Sequence, residues 1–218
     1  MKNEFWLERW ERQELGFHQD EINPYLIRYR DSLCLADNAE IFVPMCGKSR
    51  DMIWLREQGY RVLGIELSDI AVRDFFIEND LLPQRTSSQH FEILDANDIR
   101  LLCGDYFAVP RNALENVTAV FDRASMVALP VDMRERYAMH MVSLLAPGTK
   151  ILLVAFDYPQ SEMNGPPFAV SPDEVEALYG SHADISLLGT HDVLEQNPHF
   201  KSRGLSWLHE HIILLTLR

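Results

Sequence analysis

The sequence predicts an α/β fold with a doubly wound, mostly parallel sheet. Short apolar runs rich in β-branched residues alternate with segments of helical periodicity, and each run ends at a turn. No internal repeat or linker interrupts the 218 residues, and 47% hydrophobic residues are enough to fill a sizeable core. We therefore predict a single domain over residues 1–218.

The first 35 residues predict a helical cover that precedes the core. An aromatic and charged segment occupies residues 5–10, and a turn follows at Gly16. Asn23 and Pro24 are suited to the start of a helix, which we expect to run to about Leu33. This part of the chain comes before the first strand signal and is therefore an appendage to the sheet.

Two strand–helix units come next. Residues 39–44 predict a buried strand, and a helical pattern from Asp51 ends at Gly59. Residues 61–67 repeat the strand signal, and Ser68 can cap the helix that follows. The helix is expected to break near Pro83, after which residues 91–94 and 99–103 can pair as two strands.

Further strands and helices complete the fold. Residues 117–121 and 150–156 predict strands, separated by a helix that Pro130 opens and Gly148 stops. Ser171 marks the start of another helix, and residues 185–188 and 207–217 supply late strands. Alternating strands and helices favour right-handed parallel crossovers, whereas the last two strands, joined without a strong helix, favour an antiparallel edge.

Composition excludes several classes of partner. The net charge of −13 makes binding to phosphate backbones or anionic membranes unfavourable, so we predict neither a nucleic-acid nor a membrane partner. Three cysteines without C-x-x-C spacing suit free thiols in a reducing compartment. The N-terminal residues carry no apolar signal segment, and no run reaches the about 18 to 20 apolar residues that span a bilayer. We predict a soluble, cytoplasmic protein.

Glu66 is the first candidate for a binding residue. It closes the second predicted strand, and open α/β sheets bind ligands at the carboxyl ends of their strands. A carboxylate at this position can accept both hydroxyls of a ribose, which predicts a nucleoside ligand. The alternative is a solvated strand end that merely caps the next helix.

The loop after the first strand narrows the choice of nucleoside. Residues 44–49 contain a single glycine, Gly47, and lack the G-x-G-x-x-G pattern that brings a backbone close to a pyrophosphate. A phosphate-binding loop ending in Gly47-Lys48-Ser49 would need a glycine at position 42, which is Phe42. An adenosyl ligand without phosphates, such as S-adenosylmethionine, fits this loop better.

Seven strings identify a family resemblance. In order along the chain they are Phe5-Trp6 with Trp10, Gly16-Phe17-His18-Gln19, Pro44-Met45-Cys46-Gly47-Lys48-Ser49, Gly64-Ile65-Glu66-Leu67-Ser68, Asp122-Arg123-Ala124, Asp132-Met133-Arg134-Glu135-Arg136-Tyr137 and Gly165-Pro166-Pro167-Phe168. Together they resemble the motifs of thiopurine S-methyltransferases, in particular the shorter bacterial members. The resemblance implies a class I, Rossmann-like methyltransferase fold, with residues 1–35 covering the active site.

The same resemblance implies a reaction and a set of site residues. The reaction is methyl transfer from S-adenosyl-L-methionine to the sulfur of aromatic or heterocyclic thiols such as thiopurines, with no metal, in a protein that acts as a monomer. Phe17 would face the substrate, and Arg123 would position substrate and cofactor during catalysis. The residues implied in cofactor binding are Trp10, Met45, Glu66, Asp105, Tyr106 and Arg123. The resemblance assigns no role to the loop around His199.

Alternatives remain open for several of these residues. Asp122 and Arg123 alone would suit a surface ion pair, and the N-terminal aromatics would suit ordinary core packing. His209 and His211 share a strand face but have no third ligand nearby in sequence, so we predict surface residues and not a metal site. For function, the alternatives are methylation of another small nucleophile, namely a selenium or tellurium oxyanion, a halide or an amine, or a non-catalytic nucleoside-binding protein.

Overall fold

The computed structural model describes residues 3–218, which contain one mixed sheet of nine strands in the order β3-β4-β5-β2-β1-β6-β7-β9-β8. The five central strands, β5 to β7 in this order, are parallel, and both edges are antiparallel. The predicted α/β class and its antiparallel edge are therefore confirmed. The strands are β1 (Glu40–Val43), β2 (Arg61–Glu66), β3 (Gln84–Ser87), β4 (Glu92–Ala96), β5 (Ile99–Cys103), β6 (Val117–Arg123), β7 (Lys150–Asp157), β8 (Ala183–Asp192) and β9 (His209–Leu217).

Three of the helices begin at a side-chain cap that the sequence predicts. The side chain of Asn23 accepts hydrogen bonds from two backbone amides, Ser68 accepts one from Ala71, and Ser171 accepts one from Glu174. The helices are α1 (Asn3–Glu11), α2 (Pro24–Tyr29), α3 (Asp51–Glu57), α4 (Asp69–Glu78), α5 (Val131–Leu144), α6 (Pro172–Tyr179) and α7 (Pro198–Ser202). The described part of the chain has no helix that is long and apolar enough to cross a membrane.

Several boundaries differ from the predictions, including that of β8, which spans Ala183–Asp192 where residues 185–188 were expected. The helix expected to reach Leu33 ends at Tyr29 and continues as a 3-10 turn over Arg30–Leu33. The segment after α4 forms strand β3, which the sequence does not indicate because all four of its residues are exposed. Without a buried face there is no alternation of apolar and polar residues.

A glycine in the centre of the sheet lets the loop after β1 lie close to β2. A Cβ atom on Gly64 would lie 2.5 Å from Leu101 Cδ2 and 2.8 Å from Cys46 Sγ. Cys46 is buried, as expected for an unreactive thiol, and its amide donates to the carbonyl of Ile65. The glycine therefore lets the loop after β1 pack directly against the neighbouring strand.

The prediction of surface positions for both late histidines is wrong for His211. It is 6% exposed, Nδ1 lies 2.9 Å from Thr190 Oγ1, and Nε2 lies 3.5 Å from a carboxylate oxygen of Asp157. His211 lies further inside the sheet than His209, between Ala155 of β7 and Thr190 of β8. Among residues 3–218, no group of three or more His, Cys, Asp or Glu side chains could hold a metal ion.

Candidate active site at the carboxyl edge of the sheet

A cavity of about 410 Å³ lies at the carboxyl ends of the central parallel strands, beneath the N-terminal segment. Its walls come from α1, from the turn around Phe17, from the ends of β1, β2, β6 and β7, and from α7. All seven residues singled out by the sequence line this one cavity: Trp10, Phe17, Met45, Glu66, Asp105, Tyr106 and Arg123. The structure thus brings them together, and their individual roles remain predictions.

Glu66 is buried at the end of β2, with 7% exposure, and is therefore not the solvated strand end of the alternative interpretation. One carboxylate oxygen accepts the amide of Gly47 and the other accepts the amide of Ser68, each at 2.8 Å. Burial raises the pKa of this carboxyl above its usual value, and the amide hydrogen bonds lower it. A carboxylate offers about four lone-pair sites, so both oxygens can still accept hydroxyl groups.

The loop after β1 passes under an aromatic ring. Met45 and Gly47 both have positive φ angles, of 46° and 52°, so the backbone turns sharply. A Cβ on Gly47 would lie 3.3 Å from Cζ2 of Trp10, which shows how closely the indole covers this backbone. Because Gly47 has no side chain, the backbone beside Glu66 stays open, which leaves room for a nucleoside with an amino-acid tail.

Aromatic rings of the N-terminal segment form one wall of the cavity. The ring of Phe17 meets Trp6 and Trp10 edge to face, with centroid separations of 5.6 and 5.5 Å. Trp10 is 2% exposed and anchors the wall to the sheet. These rings therefore pack as a cluster, as the core-packing alternative requires, and they also line the cavity, while their role in binding stays a prediction.

Arg123 brings a positive charge to the cavity beside Phe17. Its Nη1 donates to the carbonyl of Phe17 at 3.3 Å, which ties the end of β6 to the N-terminal turn. Burial lowers the pKa of Arg123, and the carboxylates of Asp51 and Glu210 raise it. The surface ion pair considered above does not form, because the side chain of Asp122 bonds to Tyr137 instead.

Two acidic residues at this site were missed by sequence reasoning. Asp51 is the first residue of α3 and Glu210 is the second residue of β9, and both line the cavity. Acidic residues are common in the first turn of a helix, so nothing in the sequence distinguishes Asp51 as a site residue. Glu210 offers a better signal, because it directly precedes the run of buried strand residues from His211 to Ile213.

The remaining predicted cofactor residues follow β5. Asp105 Oδ1 accepts the amide of Phe107 at 2.9 Å and so fixes a short 3-10 turn. The ring of Tyr106 stacks on Tyr137 at a centroid distance of 4.8 Å, and its hydroxyl donates to the carbonyl of Tyr137. The turn presents Asp105 and the ring of Phe107 to the cavity.

Asp122 supports the site from inside the core. It is 1% exposed, Oδ2 accepts the hydroxyl of Tyr137 at 2.7 Å, and Oδ1 has no hydrogen-bond partner within the described residues. Burial raises its pKa to about 6, which the hydrogen bond from Tyr137 only partly offsets. The carboxyl therefore ionises at a cost.

This cost predicts a pH dependence of stability. Because the folded-state pKa of Asp122 lies above the unfolded value of about 3.9, the folded state binds the proton more tightly. The contribution to stability is complete below about pH 4 and is lost as pH rises through about 6. A shift of about two units corresponds to about 3 kcal/mol. Urea unfolding at several pH values should show a fall of this order in the wild type relative to Asp122→Asn; parallel pH profiles would contradict it.

An ion pair between a buried arginine and a partly exposed glutamate supports the cavity wall from the core side. Arg134 on α5 is fully buried, and its Nη1 donates to both carboxylate oxygens of Glu174 on α6, at 2.6 and 2.7 Å. Its Nε donates to the carbonyl of Leu129, in the segment that lines the cavity between β6 and α5. The ring of Phe168 lies 5.9 Å from the guanidinium.

The far wall contains the loop to which the sequence assigned no role. His199 and Arg203, together with Phe200, line the cavity from α7 and the residue after it. The Nη1 of Arg203 lies 3.8 Å from the sulfur of Met163, and the ring of His199 lies 3.9 Å from that of Phe200. The structure thus places this loop at the site without giving it a chemical role.

Comparison with known proteins identifies the class. A Burkholderia thailandensis 1,6-didemethyltoxoflavin-N1-methyltransferase, solved with 1,6-didemethyltoxoflavin and S-adenosylhomocysteine, superposes with a TM-score of 0.63 at 14% identity, over 99% of this chain and 87% of that one. At that identity the likeness concerns the fold alone. The order and direction of the strands are those of the class I methyltransferase fold.

The sequence comparisons specify the family. The family model for thiopurine S-methyltransferase matches residues 1–218. A thiopurine S-methyltransferase of Nitrosospira multiformis is 56% identical over 100% of this chain and 99% of its own length, and one of Azotobacter vinelandii is 45% identical over the whole of both chains. This chain belongs to the thiopurine S-methyltransferase family.

Proposed function

We propose that this protein transfers the methyl group of S-adenosyl-L-methionine to the sulfur of aromatic and heterocyclic thiols, thiopurines included. The observation that carries the proposal is full-length family membership combined with one cavity that holds Glu66 at one side and Arg123 within an aromatic wall at the other. The products are a methyl thioether and S-adenosyl-L-homocysteine.

The residues at the ends of β1, β2 and β5 suit the cofactor. Glu66 would accept the ribose hydroxyls. The amino-acid tail would lie on the backbone at Gly47, beneath Trp10 and beside Met45. Asp105 and Tyr106 would lie near the adenine. When bound, the cofactor supplies a sulfonium-activated methyl group. Neither this set nor the reaction calls for a metal ion.

The residues around Arg123 suit the acceptor. The rings of Phe17 and Trp10 offer an apolar wall for a heteroaromatic ring and keep water from the sulfur. The guanidinium of Arg123 would stabilise developing or full negative charge on that sulfur. Orientation carries much of the rate, because a well-aligned pair of reactants is worth up to about 7 to 11 kcal/mol.

The proposal extends to the protein's organisation and setting. We propose a single methyltransferase domain over residues 1–218 in which residues 1–35 cover the active site, acting as a monomer in the cytoplasm on small molecules. The net charge of −13 supports the absence of nucleic-acid and membrane partners. The free cysteines support a reducing compartment.

The test of the reaction is methyl transfer from labelled S-adenosylmethionine to 6-mercaptopurine. We expect a labelled methyl thioether, formed in equal amount with S-adenosylhomocysteine. Transfer to a halide, an amine or a selenium oxyanion, with none to any thiol, would contradict the acceptor while leaving the donor in place. Cofactor binding without transfer to any acceptor would contradict catalysis altogether.

Arg123 gives the reaction a residue-specific prediction. Arg123→Ala should lower kcat/KM for 6-mercaptopurine by about 10- to 100-fold, because a hydrogen bond to a charged group is worth about 1.5 to 3 kcal/mol. Arg123→Lys should recover part of the loss, since it keeps the charge but not the planar fork. The exposed Arg85→Ala serves as the matched control. Kinetics of Arg123→Ala equal to those of that control would contradict the assignment.

A further inference from the structure

Glu210 lies on the same face of the sheet as Arg123. In the ladder that joins β6, β7 and β9, Arg123 is level with Val154, and Glu210 is level with Phe156, two residues further along β7. Residues two apart on a strand point to the same side, so both charged side chains project to one face. Both also line the cavity, which places a carboxylate beside the guanidinium at the acceptor end.

The carboxylate of Glu210 is only lightly engaged. It is half-buried and accepts a hydrogen bond from the hydroxyl of Tyr25 on α2. Asp51, the other acid near Arg123, is 3% exposed and already accepts the amide of Asn23 at 2.7 Å and the hydroxyl of Ser49 at 2.9 Å. Asp51 is therefore held as a fixed counter-charge, whereas Glu210 retains lone pairs that face the cavity.

Several titratable groups surround this carboxylate. Burial raises the pKa of Glu210, and the hydrogen bond from Tyr25 and the charge of Arg123 lower it. His191, opposite Glu210 on β8, stacks against the ring of Tyr25 at 4.8 Å. The other titratable or charged groups that line the same cavity, besides Arg123, are Arg9, Glu14, His18, Cys46, Lys48, Asp51, Glu66, Asp105, Tyr106, His199 and Arg203.

We propose that Glu210 is the general base that takes the proton from a neutral thiol bound beside Arg123, an inference that rests on the proposed function. The S–H bond breaks and an O–H bond forms on the carboxylate, while the sulfur keeps the electron pair. That pair forms the new bond to the methyl carbon, and the pair of the broken methyl–sulfonium bond stays on the donor sulfur. The protonated carboxyl then returns its proton to water.

Charge balance favours this assignment over uptake of a ready-made thiolate. A protein of net charge −13 repels anions, and a buried cavity penalises any unpaired charge brought into it. A neutral thiol enters without either cost. Transfer of its proton to Glu210 leaves the total charge of the cavity unchanged, because the thiolate replaces the carboxylate as the partner of Arg123.

The experiment compares two thiophenols of different acidity, assayed at about pH 6 with Glu210→Gln and the wild type. With 4-methoxythiophenol, which is largely protonated at that pH, Glu210→Gln should lose about 100-fold in kcat/KM, the lower end of the usual contribution of a general base. With 4-nitrothiophenol, which is already a thiolate, the loss should be at least ten-fold smaller. The exposed Glu115→Gln is the matched control, and calorimetry with S-adenosylhomocysteine checks that each variant binds the cofactor.

A second variant keeps the inference testable if Glu210→Gln does not fold. Tyr25→Phe removes the hydrogen bond that lowers the pKa of Glu210, so the acidic limb of the kcat/KM profile should move to higher pH. An equal loss on both thiophenols, no loss on either, or the same acidity-dependent loss in His18→Gln or His199→Gln with Glu210→Gln unaffected would overturn the role of Glu210. Failure of the wild type on every thiol would instead overturn the proposed function.

Discussion

Replacing Glu66 with alanine should weaken binding of S-adenosylhomocysteine by at least about 100-fold. The first reason is that two oxygens that would accept the ribose hydroxyls disappear, and each hydrogen bond to a charged group is worth about 1.5 to 3 kcal/mol. The buried amides of Gly47 and Ser68 also lose their acceptor, so the loop after β1 loses its support. Titration calorimetry of the purified variant measures the effect directly.

The exposed Glu57→Ala, on the helix that follows the same loop, is the control for loss of a negative charge near the site. Glu66→Gln separates the two reasons for the loss, because it keeps one acceptor oxygen while its amide nitrogen faces one of the two backbone donors. We expect its affinity to lie between those of the wild type and the alanine variant. A dissociation constant within about threefold of the wild type for Glu66→Ala would exclude Glu66 from the ribose site.

Replacing Arg134 with methionine should cost about 2 to 3 kcal/mol of unfolding free energy. Glu174, whose side chain is 27% exposed and so stays partly solvated, loses its partner, and the carbonyl of Leu129 loses its donor. Methionine fills similar space, so the loss reports the charge and not a cavity. Chemical denaturation monitored by circular dichroism provides the measurement.

Arg136 on the same helix offers the matched comparison. Its guanidinium lies 3.9 Å from the centroid of the Phe107 ring at an exposed position, a contact worth about 0.5 to 1 kcal/mol. Arg136→Met should therefore cost far less than Arg134→Met. A cycle that adds Glu174→Gln should show strong coupling with Arg134→Met. Additive losses would mean that the pair does not act as a unit.

Much of the fold could be predicted because its signals are local. Asn23, Ser68 and Ser171 each cap the helix that the sequence starts at that residue, and the strand over 150–156 matches β7 within one residue. The antiparallel pairing of β4 with β5 also follows from two short apolar runs separated by a turn. Strand β3 could not be predicted, because an edge strand with no buried side chain leaves no pattern.

Only some of the residues of the site could be predicted from the sequence. Residues such as Glu66 and Arg123 end strands that run in the same direction, so their meeting at one edge follows from topology alone. Glu210 reaches that edge from the start of an antiparallel strand, and Arg134 meets Glu174 across 40 residues. Such contacts depend on how elements pack after the sheet has formed, which spacing along the chain does not encode. The family resemblance included Arg134 in a motif but pointed to neither Glu174 nor Glu210.

The position of Trp10 against Gly47 gives the molecule an internal optical reporter. Only four tryptophans occur in the chain, and two of them, Trp6 and Trp10, touch the ring of Phe17. Indole emission depends on local polarity and on nearby quenching groups. A ligand bound at the loop after β1 should therefore change the emission of Trp10, and a ligand bound beside Arg123 should change that of both indoles through Phe17, whose carbonyl accepts a hydrogen bond from Arg123. Binding at either end of the cavity can thus be followed in the unlabelled protein by its own fluorescence.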